Sequence, residues 1–217
     1  MNTDIARLNM IEQQVRAWDV LDPHVLEVLA EVPREQFVPR EYTSLAFAET
    51  QIPIGHGERM MLPSVEGRLL QALDLDGDER ILEVGTGSGF LTACLATLGG
   101  HVTSIDIHDD FLKRAAEHLA DNGIDNVELL KMDATHALPD GGFDAIAVTG
   151  SLQHFDARFV DALNEGGRLF VVVGSPPVMD ARLVSRPPGS NEWQTESLFE
   201  TELAPLVNGA LPPQFSF

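Results

Sequence analysis

Apolar and polar positions alternate with two different periods along this chain, and the change of period divides it into three parts. In the first part, residues 1–62, Ile5, Leu8, Ile11 and Val15 recur at helical spacing and predict an amphipathic helix. Asp22-Pro23 then reads as the cap and first residue of a short helix reaching about Ala30, which Val32-Pro33 ends. The stretch from Phe37 to Gly57 has no regular period and is expected to be irregular. In the second part, residues 63–174, short apolar runs alternate with helical patterns. The strands are expected at 80–84, 101–106, 127–131, 143–149 and 168–173. Helices are expected after Ser64 as a cap, with Val65, Leu69, Leu70 and Leu73 inward, and at 90–98, 110–119 and 155–163. Strands that read as continuous apolar runs between helices argue a mostly parallel sheet covered on both faces, a doubly wound α/β fold with right-handed crossovers. In the third part, residues 175–217, segments 182–186 and 192–203 are expected to pair as antiparallel strands across Pro187-Pro188-Gly189, ahead of a tail.

The pattern therefore predicts one α/β domain with a helical N-terminal segment and a C-terminal extension. Chemistry enters at Leu82-Glu83-Val84-Gly85-Thr86-Gly87-Ser88-Gly89-Phe90, where a strand feeds a glycine-rich turn that opens a helix. Gly85 and Gly87 let the backbone approach a ligand without a Cβ clash, and the helix start presents free N–H groups. Asp106, with Ile107 beside it, lies at the carboxyl end of the next strand, where a carboxylate can take both hydroxyls of a ribose. Asp133, with Ala134, ends the third strand and is a candidate acceptor for an adenine amino group. Together the three strand ends describe an adenosine site. The spacing is G-x-G-x-G rather than the G-x-G-x-x-G of dinucleotide binders, and Glu83 adds negative charge where a pyrophosphate would sit. Both features favour S-adenosylmethionine, with its sulfonium and α-ammonium, over a nicotinamide cofactor, which stays as the weaker alternative.

Composition narrows the partners. The 217 residues hold 34 Asp and Glu against 14 Lys and Arg, a formal charge of −20, and only two of the cations, Lys113 and Lys131, are lysines. Such a field repels phosphate backbones and anionic membranes, so neither nucleic acid nor membrane is an expected partner. Acidity with scarce lysine also suits a high-salt habitat. At 44% hydrophobic residues the chain is globular rather than disordered. The single Cys94 excludes an intrachain disulfide and is expected to be inert core, and no Cys/His grouping in the sequence indicates a metal site. The start of the sequence lacks a signal peptide's apolar core and no run is long enough to span a membrane, so a cytoplasmic location is expected.

The ordered set Met10-Ile11-Glu12-Gln13-Gln14-Val15, Val32-Pro33-Arg34, Phe37-Val38-Pro39, Ile52-Pro53-Ile54-Gly55-His56-Gly57, the glycine turn, Phe143-Asp144-Ala145-Ile146, Leu163-Asn164-Glu165-Gly166-Gly167-Arg168 and Gly174 resembles the protein-L-isoaspartate O-methyltransferases. These are class I S-adenosylmethionine-dependent methyltransferases. The resemblance covers about residues 8–174 and, more faintly, the tail. It implies a seven-stranded sheet and an N-terminal segment folded over the cofactor. It also implies that Gly85, Thr86, Gly87 and Ser88 line the cofactor, that Asp106 holds the ribose, and that Asp133 and Ala134 face the adenine. The activity it implies is methyl transfer to the carboxylate of isoaspartyl residues in proteins or peptides, leaving S-adenosylhomocysteine. One stretch departs from the family. Where the family reads G-Q-T-I-S-x-P, this chain has Gly57-Glu58-Arg59-Met60-Met61-Leu62-Pro63. Met61 stands in place of the serine associated with placing the acceptor carboxylate, and Arg59 in place of the threonine. A thioether is a poor hydrogen-bonding substitute for a hydroxyl, whereas a guanidinium binds a carboxylate bidentately. Arg59, Met61 and the turn residue His56 are therefore the catalytic candidates, with Met61 also a candidate cofactor contact. Thr149, Gly150 and His154, at or just beyond the fourth strand's carboxyl end, are the acceptor-site candidates. Two alternatives remain open from the residues alone: a family relative with a different acceptor, and a cofactor-binding module without turnover. The oligomeric state is not readable.

Overall fold

The computed structural model describes residues 3–190 and 192–209. Its centre is a seven-stranded sheet assembled from β3 (Arg80–Val84), β4 (His101–Asp106), β5 (Val127–Lys131), β6 (Phe143–Leu152), β7 (Leu163–Ser175), β8 (Val178–Ser185) and β9 (Gln194–Glu200). The spatial order is β5-β4-β3-β6-β7-β8-β9, parallel from β5 through β7 and antiparallel in the last two pairings. The doubly wound arrangement and the seven strands expected from the sequence are both present. Successive residues of each central strand face opposite cores, as the pleat requires. Ile81, Val102, Ala145 and Phe170 pack on one side. Leu82, Ile105, Ile146 and Leu169 pack on the other. The strand order reverses between β3 and β6, so the carboxyl ends of β3, β4, β5 and β6 surround a crevice.

The helices are α1 (Thr3–Met10), α2 (Pro23–Glu31), α3 (Pro63–Leu73), α4 (Phe90–Leu98), α5 (Asp109–Asp121) and the single turn α6 (Arg158–Asp161). Asp22 caps α2 as its sequence predicts, accepting from the N–H groups of His24 and Val25 at 2.8 and 3.2 Å. Between α2 and α3 the chain forms two short 3-10 turns and the small hairpin β1 (Pro53–Gly55) and β2 (Glu58–Arg59). This irregular segment is bolted to the domain by Arg34, which is fully buried. Its guanidinium donates to the Ala46 carbonyl at 2.9 Å, to the Met61 carbonyl at 3.1 Å and to Glu66 of α3. It also lies over the ring of Phe90, 4.6 Å from the centroid. Such a fork satisfies several acceptors from one planar group, which a lysine cannot reproduce.

Four expectations are corrected. The stripe Ile5, Leu8, Ile11, Val15 does not share one buried face. Ile5 and Leu8 are each 57% exposed, while Ile11 and Val15 are buried. After Met10 the helix widens into a π-turn over Ile11–Val15, which rotates each residue by less than an α-helical step and shifts the inward face. Ser64 does not cap α3. Leu62 holds the cap position with Pro63 inside the first turn, and the Ser64 hydroxyl donates to Glu49. The helix expected at 155–163 shrinks to Arg158–Asp161, because Leu163 already begins β7 and pairs with Phe143. The Phe143 N–H bonds the Ala162 carbonyl at 3.0 Å, so sheet pairing claims residues whose local pattern is helical. The strand expected at 182–186 starts earlier, at Val178, since the chain turns sharply after Ser175 and pairs back along β7. The last residues of the expected tail, 210–217, lie outside the described residues.

Candidate functional site

A cavity opens at the carboxyl edge of the sheet, where the strand order reverses. Its floor is the glycine turn. Gly85, Gly87 and Gly89 all have positive φ, at 99°, 52° and 84°. The first of these is irreplaceable on two grounds. A Cβ on Gly85 would lie 2.2 Å from Thr149 Oγ1, and the backbone is in a region that side chains avoid. Thr149 in turn donates to the carbonyls of Val84 and Gly85 at 2.9 and 3.0 Å, so β6 locks the turn from beneath.

Asp106 clamps the turn from the side. One carboxylate oxygen accepts from the Gly87 N–H at 3.0 Å and the other from the His108 N–H at 2.8 Å. A carboxylate offers about four acceptor directions, so two remain for a diol. Ile107 and Ser88 line the same cavity. Glu83 lies just behind the turn and is completely buried. The Thr86 hydroxyl donates to Ser104 at 2.6 Å, and Ser104 and Thr92 donate to one oxygen of Glu83. The other oxygen, Oε1, has no hydrogen-bond partner among the described residues. Burial pushes this carboxyl up to about 8, against the pull of the two hydroxyls. Glu66, also in the cavity wall, is raised to about 7 by burial, with the Arg34 charge opposing.

Asp133, the candidate adenine acceptor, lines the cavity and is already hydrogen-bonded within the chain. Oδ1 accepts from the Thr135 N–H and hydroxyl at 2.9 and 2.6 Å. Oδ2 faces His136 Nδ1 and the Asn208 amide at 2.9 and 2.8 Å. Burial alone would raise this carboxyl, but Thr135, Asn208 and His136 together hold it down at about 2. Asp133 and Ala134 both line the cavity.

The acceptor-side candidates separate. Arg59, Met60, Met61, Thr149 and Gly150 line the cavity. Met61 is buried and Arg59 exposed. His56 sits at the hairpin tip with φ +54° and points to Asp110, 2.9 Å away, outside the cavity wall. His154 is exposed on the loop after β6 and does not line the cavity. Sequence reasoning missed one wall entirely. Residues 203–207 cross the mouth as a strap, the Ser151 N–H bonding the Ala204 carbonyl at 2.8 Å and the Leu206 N–H bonding the Ser151 carbonyl at 3.0 Å. The Asn208 contact with Asp133 closes its far end. The apolar run Leu203, Leu206, Val207 around Pro205 was the only sequence signal for it.

The comparisons with known proteins bear on this geometry. The sequence model for "Protein-L-isoaspartate(D-aspartate) O-methyltransferase (PCMT)" matches residues 6–209. The chain belongs to the protein-L-isoaspartate O-methyltransferase family. It is 35% identical over 202 residues to "Protein-L-isoaspartate O-methyltransferase 1" of Rhodopseudomonas palustris (strain HaA2), covering 93% of this chain and 82% of that one. It is 40% identical over 164 residues to "Protein-L-isoaspartate O-methyltransferase 2" of Anaeromyxobacter sp. (strain Fw109-5), covering 75% of this chain and 68% of that one. The fold agrees with a solved structure from Plasmodium falciparum, described as a protein-L-isoaspartate O-methyltransferase in complex with S-adenosyl-L-homocysteine. The TM-score is 0.77 at 21% identity, over 95% of this chain and 98% of that one. In an isoaspartate methyltransferase, the turn, Asp106 and Glu83 occupy the edge where this sheet topology gathers a nucleoside ligand. The residues present fit S-adenosylmethionine: Glu83 offers a buried carboxyl oxygen with no hydrogen-bond partner among the described residues, and the backbone of residues 85–88 reaches the cavity. Among the described residues no helix is long and apolar enough to cross a membrane.

Proposed function

We propose that this chain methylates the free carboxylate of L-isoaspartyl residues in proteins or peptides, using S-adenosylmethionine and binding it at the carboxyl edge of β3, β4, β5 and β6. The family match over residues 6–209 is the observation that carries this reading. When bound, the cofactor supplies a methyl group on a sulfonium, activated for in-line displacement. This chain's residues then have two tasks. Asp106 takes the ribose diol with its two remaining acceptor directions. Glu83 Oε1 receives the α-ammonium, the backbone of residues 85–88 receives the carboxylate end, and Ala134 with Ile107 borders the adenine.

The acceptor needs little chemical activation. A carboxylate is already a nucleophile at neutral pH, so proximity and orientation supply the rate. Thr149, Gly150, Arg59 and Met61 bound the space in which the acceptor is oriented. The net charge of −20 supports a protein or peptide partner over a nucleic acid. The decisive experiment compares an isoaspartyl peptide with its normal aspartyl isomer, using protein verified by calorimetry to bind S-adenosylhomocysteine. Methyl transfer confined to the isoaspartyl peptide is expected. Cofactor binding with no transfer above the aspartyl control would overturn the acceptor assignment.

A further inference from the structure

Beside the cofactor cavity the fold gathers three metal-ligating side chains that the sequence keeps apart. His56 is at the tip of the β1–β2 hairpin, held at φ +54° between Gly55 at +116° and Gly57 at +87°. A side chain in the left-handed region costs conformational energy and persists only where its surroundings impose it. His108 precedes α5, and Asp110 lies in that helix's first turn. The ring nitrogens of the two histidines and a carboxylate oxygen of Asp110 all come within 4.8 Å of one another. The imidazoles stack with centroids 4.0 Å apart and planes 11° from parallel. His56 Nε2 lies 2.9 Å from Asp110 Oδ1. His108 Nε2 is inaccessible to solvent and has no hydrogen-bond partner among the described residues. A buried ring nitrogen left this way forfeits a hydrogen bond that nearly all buried polar groups make.

We propose that His56, His108 and Asp110 form a binding site for a divalent transition ion, zinc foremost. Two imidazoles and one carboxylate are the donor set such an ion takes, with a fourth position left for water. Calcium and magnesium, which seek oxygen ligands, do not suit it. Imidazole lone pairs lie in the ring plane, so two stacked rings cannot both aim one at a single ion, and the ion is gripped when the His56 ring turns out of the stack. That side chain is 43% exposed and has room to do so. The ion then replaces the His56–Asp110 hydrogen bond and satisfies His108 Nε2. Arg114 lies 3.7 Å from Asp110 and already donates to the Ile54 carbonyl at 3.0 Å, and Lys113, which also feels the Asp110 charge, is paired with Asp109. A bound ion would pin the hairpin to α5. It would also sit against the cavity, since His108 lines the wall and its N–H holds Asp106.

The test titrates the full-length protein with Co²⁺, read by its visible absorption, and then displaces it with Zn²⁺. One ion per chain is expected. His56→Ala, His108→Ala and Asp110→Asn should each weaken it by about tenfold or more. His24→Ala, an exposed histidine on α2, should leave the affinity unchanged. Thermal unfolding without metal verifies that each variant is folded; if His108→Ala is not, the exposed His56→Ala decides alone. Absence of saturable binding in the wild-type protein, or unchanged affinity in His56→Ala, would overturn the site.

Discussion

At the scale of single residues the cofactor cavity works through carboxylates whose environments differ sharply. Asp106 has two acceptor directions left after Gly87 and His108. Asp106→Ala should therefore weaken S-adenosylhomocysteine affinity by about 1–3 kcal/mol, the size of hydrogen bonds to a charged acceptor. Unchanged affinity by calorimetry would remove it from the ribose. Glu83 makes a different prediction. Burial raises its folded-state value from 4.5 to about 8, so near pH 7 the free protein holds a proton there that the unfolded chain has lost. That contribution to stability is complete below pH 4.5 and falls away as pH rises toward 8. A cation placed against Oε1 favours the ionised form, so cofactor binding at pH 7 should release a proton. Calorimetry in buffers of different ionisation enthalpy measures this directly, and Glu83→Gln should abolish it. Met61→Ser introduces the hydroxyl that the family resemblance implies at this position and should raise isoaspartyl turnover. By analogy with the loss of a placed donor, the gain is up to on the order of a hundredfold, read as kcat at saturating peptide. A flat response would mean that Arg59 or another wall residue has taken over the orientation of the acceptor.

The elements divide by how far their causes lie in the sequence. β3, β4 and β5 were legible because each is a short segment between turn residues and helical patterns, and their observed spans agree with those expected. The glycine turn was legible for a related reason: its glycines are needed locally, by positive φ. The reduction of the 155–163 helix to one turn was not legible, because it depends on Phe143 and Leu163 pairing across the sheet. Nor was the strap over the cavity, whose hydrogen bonds run to Ser151, some fifty positions upstream. The His56, His108 and Asp110 grouping escaped for the same reason, since it forms only when the hairpin folds against α5. The strap carries its own prediction. A Cβ at Gly150 would lie 2.6 Å from Leu206 Cδ2 and 3.3 Å from the Leu206 backbone nitrogen. Gly150→Ala should therefore lift the strap, and Asn208→Ala should free its end. Each is expected to weaken S-adenosylhomocysteine binding by about 1 kcal/mol, roughly fivefold in Kd. Affinities equal to wild type in both would show that the strap does not help to enclose the ligand.

At the scale of the whole molecule the charge of −20 has little to do with the cavity. Glu58, Glu66, Glu83, Asp106 and Asp133 take up five of the 34 acidic residues. With only 14 Lys and Arg in the chain, the rest outnumber the cations that could answer them. Lys113 with Asp109 and Arg16 with Glu12 are ion pairs on exposed helix surfaces, and pairs of that kind contribute little. Self-repulsion on this scale destabilises a compact state, and salt relieves it by shortening the screening length from about 10 Å at 0.1 M to about 3 Å at 1 M. The unfolding temperature should therefore rise with NaCl, most steeply below ~0.5 M, where screening changes fastest. The form of the curve separates this cause from salting-out of apolar surface. Screening levels off once the Debye length falls below the spacing of surface charges, whereas exclusion of salt from apolar surface keeps adding stability into the molar range. Arg34 and Glu66 sharpen the distinction, because their buried pair is screened much less than the surface. Replacing several exposed Asp and Glu by Asn and Gln should flatten the low-salt rise, leaving the sheet and the Arg34 anchor untouched. A rise that survives those replacements undiminished would place the salt response in the core rather than in the charge.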